Sequence, residues 1–204
     1  MKRFLCAAAL VVGAASASQA ATTTIGFTFD ISGDANVPDM VLTNTSASAL
    51  INGVSLTIGD TDMNFDQVYT GTDTAPVGGG FSIVTGDTAQ GGARTDLVAL
   101  SFTGFGAGLF SEFGVDVDRD TVDTVEDYRD IFFNNGGQDN AELTVSFSTG
   151  HTLSLIMGDG VRQRDYHFSL SDRVAISTVP LPAGLPLLAG ALGLVGFAGR
   201  RRAR

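Results

Sequence analysis

Apolar residues return at every second position in short runs from Ile25 to Ile176. A chain patterned this way can bury them only as strands, whose side chains alternate between two faces. Ile25, Phe27 and Phe29 alternate with small polar residues, and similar runs follow at 41–45, 50–58, 65–69, 81–84, 97–102 and 110–117. Others occupy 143–147, 153–157, 166–170 and 174–176. Runs this short, rich in Thr, Val and Phe and broken by Asn, Asp, Gly and Pro, predict an all-β domain. It is read as an antiparallel sandwich or barrel, with the jelly-roll-like β-sandwich preferred. The clearest hairpin is LTVSFSTGHTLSLIM: Leu143, Val145 and Phe147 share a face, Thr149-Gly150 turns the chain, and Leu153 and Leu155 return. Loops are expected at 70–80 and 85–92. One short helix is expected within 118–130, where Val122, Val125 and Tyr128 recur at helical spacing.

Both ends of the chain depart from this pattern. Lys2 and Arg3 precede an apolar run at 4–12, and Ser18-Gln19-Ala20 forms a small-x-small site before Ala21. That is the layout of a secretory signal peptide over 1–20, cut by signal peptidase between Ala20 and Ala21. Cys6 leaves with it, so the expected exported part, 21–178, contains no cysteine and neither a disulfide nor a thiolate metal site. At the other end stands Val179-Pro180-Leu181-Pro182-Ala183. An uncharged apolar stretch, AGLPLLAGALGLVGFAG at 183–199, and an arginine cluster at 200–204 complete the chain. As a helix this stretch would rise roughly 26 Å, close to a hydrocarbon core, with its arginines held on the cytoplasmic side.

Motif, span and arginines in that order resemble the VPLPA-type variant of the PEP-CTERM sorting signal, found in exported proteins of Gram-negative and mainly alphaproteobacterial cells. The resemblance covers residues 179–204 only. It implies passage through the inner membrane and processing near the proline motif by an exosortase, a membrane cysteine transpeptidase that releases or re-attaches the product. No catalytic residue is implied in this chain, which would be the substrate. A plain C-terminal anchor is the other reading of the same residues.

Charge narrows the partners. All 22 acidic residues fall within 21–178, against six arginines and no lysine, a formal charge of −16 on a chain whose total is −10. Such a field repels nucleic acid and attracts cations, and it also serves simply to keep a surface soluble.

Four constellations bear on chemistry. Asp116, Asp118 and Asp120 stand at alternate positions, with Asp123, Glu126 and Asp127 after them, and converging carboxylates suit Ca²⁺, which takes six to eight oxygens. An EF-hand loop is not matched, since Thr121 and Asp127 stand where its glycine and terminal glutamate belong. The competing reading is geometric: Phe113, Val115 and Val117 take the buried face, which leaves the aspartates on the wet one. His151 and His167, the only histidines, would ligate a metal only if their strands were adjacent, with Asp159 or Asp165 nearby. The serines lack a G-x-S-x-G elbow, and three glutamates (Glu112, Glu126, Glu142) offer little for paired-carboxylate hydrolysis. Glycan stacking is disfavoured by the absence of Trp, although Tyr69, Tyr128 and Tyr166 remain. The expectation is therefore an exported, non-enzymatic domain of structural or adhesive role at the cell surface or in the extracellular matrix, without a cofactor other than Ca²⁺. Alternatives are a carbohydrate-binding module engaging exopolysaccharide, with or without calcium, and a secreted hydrolase.

Overall fold

Among the described residues the alternating runs form ten strands in two sheets of five. The computed structural model describes residues 21–33, 35–133, 137–160 and 162–176. The expected signal peptide with Ala20, the motif from Val179 to Ala183, and the apolar stretch and arginines after it lie outside the described residues. Among the described residues no helix is long and apolar enough to cross a membrane.

The strands are β1 (Ala21–Gly33), β2 (Pro38–Asn44), β3 (Ile51–Thr57), β4 (Met63–Thr70), β5 (Gly80–Thr85) and β6 (Leu97–Phe105). After them come β7 (Phe110–Arg119), the single helical turn α1 (Tyr128–Phe132), β8 (Glu142–Phe147), β9 (Thr152–Ile156) and β10 (Tyr166–Ile176). One sheet runs β10-β1-β2-β7-β4 and the other β5-β6-β3-β8-β9. The pairings nest around a central hairpin: β5 with β6, then β4 with β7, then β3 with β8, alternating between the sheets. Residues 22–175 form one compact unit.

Alternation places the core as expected. Ile25, Phe27, Phe29 and Ile31 of β1 are buried, as are Met40 and Leu42 of β2, Val54 and Leu56 of β3, and Val98 and Leu100 of β6. In the 143–157 hairpin Leu143, Val145 and Phe147 are buried, and the first two oppose Leu155 and Leu153 in register. Gly150 closes its turn at φ +80°, a left-handed conformation that glycine adopts freely, and its N–H donates to Phe147 O at 2.9 Å. The runs expected at 166–170 and 174–176 are one continuous strand, β10.

The helix is displaced from the predicted place. Val122 and Val125 are exposed loop residues, and the turn starts at Tyr128 because Asp127 caps it, accepting from Arg129 N at 3.1 Å. Tyr128, Ile131 and Phe132 then enter the core, Tyr128 meeting Phe132 and Tyr166 edge to face.

Candidate functional site

Strands β4 and β7 pair at one edge of their sheet, and together they carry the acidic cluster. On β7, Phe113, Val115 and Val117 face the core, so Glu112, Gly114, Asp116 and Asp118 share the outer face. On β4, Asn64 opposes Asp118 and Phe65 opposes Val117; the register then slips before Val68 meets Val115. The bulge sets Asp66 and Gln67 against Asp116 and aims Asp66 outward beside it.

Around Asp116 and Asp118 this outer face is not wet. Three loops fold over it, each tied down by a carboxylate. Asn36 Nδ2 donates to Asp116 Oδ1 at 3.0 Å, Gly91 N to Asp66 Oδ2 at 2.7 Å, and Thr124 N to Asp118 Oδ1 at 2.7 Å. The exposures that result are 3% for Asn64, 1% for Asp66, 4% for Asp116 and 0% for Asp118. The solvated-face reading of Asp116 and Asp118 is thus corrected: alternation decided which face they take, and the loops decided that this face is covered. Asp120 does remain exposed at the rim, where its Oδ1 accepts from Asn64 Nδ2 at 3.2 Å.

Three carboxylates are buried together here against one nearby guanidinium, Arg94, whose Nε lies 3.5 Å from Asp66 Oδ1. Arg94 Nη1 is already engaged with the carbonyls of Arg119 and Asp120, at 3.0 and 3.2 Å. Burial pushes the Asp116 carboxyl above its usual range, the charge on Asp118 pushes it further, and the Tyr69 hydroxyl partly opposes this. Burial also raises Asp118; its bond from Thr124 N opposes, while Asp123 and Asp66 add to the rise. Asp118 Oδ2, Asp66 Oδ1 and Asn64 Oδ1 are buried without a hydrogen-bond donor. Among the described residues no three Asp, Glu, His or Cys groups stand already drawn together as a metal centre. Any metal here would have to pull these carboxylates inward. All the donors are hard oxygens, the kind that calcium takes and that soft metals do not favour.

Beside the cluster on the same face lies a cleft of about 360 Å³. Val37, Asp39, Tyr69, Asp73, Glu112 and Gly114 line it, and none of its lining residues is basic. A Cβ at Gly114 would stand 2.9 Å from Pro38 O, so the close approach of β2 and β7 at this point requires glycine. Thr74 fixes the far wall: its Oγ1 donates to Glu112 O and its carbonyl accepts from Ser111 Oγ, each at 2.7 Å. Tyr69 joins the two features, because it lines the cleft and its hydroxyl lies 3.4 Å from Asp116 Oδ2.

Of the other candidates, the histidines are not brought together. His151 follows the turn of the β8–β9 hairpin and contacts Thr149, whereas His167 lies on β10 of the other sheet, 2.5 Å from Asp30. Asp159 is engaged by Asn140 Nδ2 at 3.0 Å. The glutamates are scattered: Glu112 lines the cleft, Glu126 pairs with Arg119 at 2.7 Å, and Glu142 starts β8 in the other sheet. Asn64, Asp66 and the cleft residues Asp39 and Asp73 were not singled out as a site from sequence, whereas Tyr69 was named there among the three tyrosines open to a glycan. A signal for the first two did exist, since Asn64-Phe65-Asp66 repeats the polar–apolar–polar pattern of Asp116-Val117-Asp118.

Comparison of the chain with models of protein families, with curated proteins and with solved structures finds no match.

Proposed function

We propose that this chain is an exported surface or extracellular-matrix protein of structural or adhesive role, delivered by its N-terminal signal and processed by an exosortase at its C-terminal sorting signal. The observation that carries the reading is the fixed order of proline motif, uncharged span and arginines from Val179 onward. A leader at the opposite end agrees with it in orientation. Before processing, the span anchors the protein in the inner membrane; afterwards the β domain is released or re-attached outside. The nested pairing of β5–β6, β4–β7 and β3–β8 in alternating sheets supports a jelly-roll-like sandwich, a rigid frame suited to display. The domain has no enzymatic role in this reading.

The test is the intact mass of the protein from its native host. The dominant species should lack residues 1–20 and 183–204. A dominant species that retains Arg204 would overturn the sorting reading in favour of a plain anchor. Replacing Pro180 and Pro182 by alanine should leave the protein in the inner membrane, since span and charges are intact.

One observation favours a second reading, a carbohydrate-binding module engaging exopolysaccharide. The cleft on the β2-β7-β4 face combines a partly exposed tyrosine with Asp39, Asp73 and Glu112, groups that accept from sugar hydroxyls. A glycan array probed with and without calcium should then show retention that Tyr69→Ala or Asp73→Ala abolishes. Retention unchanged by both would remove the cleft from consideration.

A further inference from the structure

We propose that Asn64, Asp66, Asp116 and Asp118 form a binding site for one divalent cation, with calcium the best fit. The assignment stands on the geometry of the β4–β7 edge and holds whether or not the domain binds glycan. Acidic side chains gathered on a surface would carry no such inference. These are buried; Asp118 Oδ2 and Asn64 Oδ1 accept no hydrogen bond, and Asp66 Oδ1 has only the Arg94 guanidinium, with Nε at 3.5 Å. An oxygen removed from water must find a proton donor or a cation, and a buried charge must be paired. Arg94 reaches one of the three carboxylates. A proton shared between Asp118 and Asn64 is the competing arrangement; it satisfies those two oxygens but leaves Asp116 charged beside Asp66, with Arg94 as the one counter-charge between them. A divalent cation neutralises the excess charge and takes the unpaired oxygens of Asp118 and Asn64 as ligands in one step.

Position supports the same conclusion. Asn64 and Asp118 are direct partners across the pair, so their Cβ atoms stand roughly 4.5–5.5 Å apart, a span one ion can bridge. The bulge after Phe65 brings Asp66 against Asp116, so four oxygen-bearing side chains lie on two strands of fixed register. Three loops close over them, each already held by one of these carboxylates. Asp120 belongs outside the ligand set, since it is exposed and reaches only the amide nitrogen of Asn64. Calcium is favoured over magnesium because flexible carboxylates and an amide oxygen suit its loose coordination, whereas magnesium requires near-ideal octahedral geometry and gives up water reluctantly.

The experiment uses the full chain, purified in mild detergent and freed of metal by chelation. Calcium chloride at about 100 times the dissociation constant should raise the melting temperature by about 5–10 °C above sodium chloride at matched ionic strength. Magnesium should give a smaller rise. Asp118→Asn and Asp66→Asn should each weaken calcium binding at least tenfold, and Asp120→Asn should change it less than threefold. Without calcium the Asp118→Asn protein should melt no lower than wild type, because a repelling charge has been removed. Terbium serves as a second probe, since it occupies calcium sites and luminesces when a nearby tyrosine absorbs. Bound terbium should luminesce on wild type and dim on Tyr69→Phe, a readout that survives if an aspartate variant fails to fold. Equal melting shifts with calcium and matched sodium chloride would overturn the site. So would undiminished calcium binding in both Asp66→Asn and Asp118→Asn, or terbium emission indifferent to Tyr69→Phe.

Discussion

Asn44 shows how a single residue can tie the two sheets together. It ends β2 in one sheet, is fully buried, and donates from Nδ2 to Phe105 O of β6 in the other at 2.8 Å and to Ala49 O at 2.9 Å. Its Oδ1 accepts from Ser46 N at 2.9 Å, so the donor and acceptor sides of the amide are both used. Asn44→Ala strands two carbonyls and an N–H, and loss of a partner costs about 1–3 kcal/mol for each buried group left alone. A loss of about 3 kcal/mol or more is expected in urea unfolding, and a loss under about 1 kcal/mol would show that water replaces the amide. Neither this residue nor the Asp116 pair was legible in full. Period-two spacing tells which residues share a face, and it correctly set Asp116 and Asp118 opposite Val115 and Val117. It says nothing of whether that face is later covered, which depends on loops joined by Asn36, Gly91 and Thr124, distant in the chain.

At the level of elements, strands were readable because burial on one face writes itself into alternation. The hairpin of β8 and β9 is the clear case. Phe147 is buried, and Phe147→Ala should cost about 3–5 kcal/mol. Ser148, its exposed neighbour, accepts from Leu50 N at 3.0 Å, so Ser148→Ala should cost only about 1 kcal/mol. Equal losses at the two positions in urea melts would refute the face assignment. The helix was harder, since five residues give too few turns for periodicity to act, and a cap decides the start instead. Asp127 binds Arg129 through both oxygens, at 2.7 and 2.6 Å, and lies 3.4 Å from Arg162. The Arg129 bond holds the Asp127 carboxyl below its usual range, helped by its backbone cap and the charge of Arg162. A depressed pKa means stability present above the unfolded-state value near 3.9 and lost as pH falls toward the folded value. Asp127→Asn keeps a capping oxygen and removes the charge. Its stability deficit against wild type should therefore be full at pH 7 and shrink below about pH 4. A deficit constant from pH 7 to pH 3 would mean that the ion pair contributes nothing.

For the whole molecule, charge is the property that sequence states outright and the fold only distributes. Six arginines against 22 acidic residues over 21–178 leave −16, and the arginines are largely committed. Arg94 lies against Asp66, Arg119 binds Glu126, and Arg129 and Arg162 hold Asp127 and Asp130. The remaining carboxylates repel one another across the surface, and folding gathers them closer than the extended chain does. Sodium chloride should relieve this, because raising it from about 0.02 M to about 0.5 M shortens the screening length from roughly 20 Å to roughly 4 Å. The melting temperature should therefore climb by a few degrees over that range and then level off. Asp118→Asn should show the same climb, since a buried pair is screened little and surface repulsion is untouched. Calcium and sodium would then act on separate parts of one molecule, the first on the β4–β7 edge and the second on the whole surface. A melting temperature that falls with sodium chloride would mean that the arginine pairs, rather than the excess carboxylates, dominate the electrostatics of this fold.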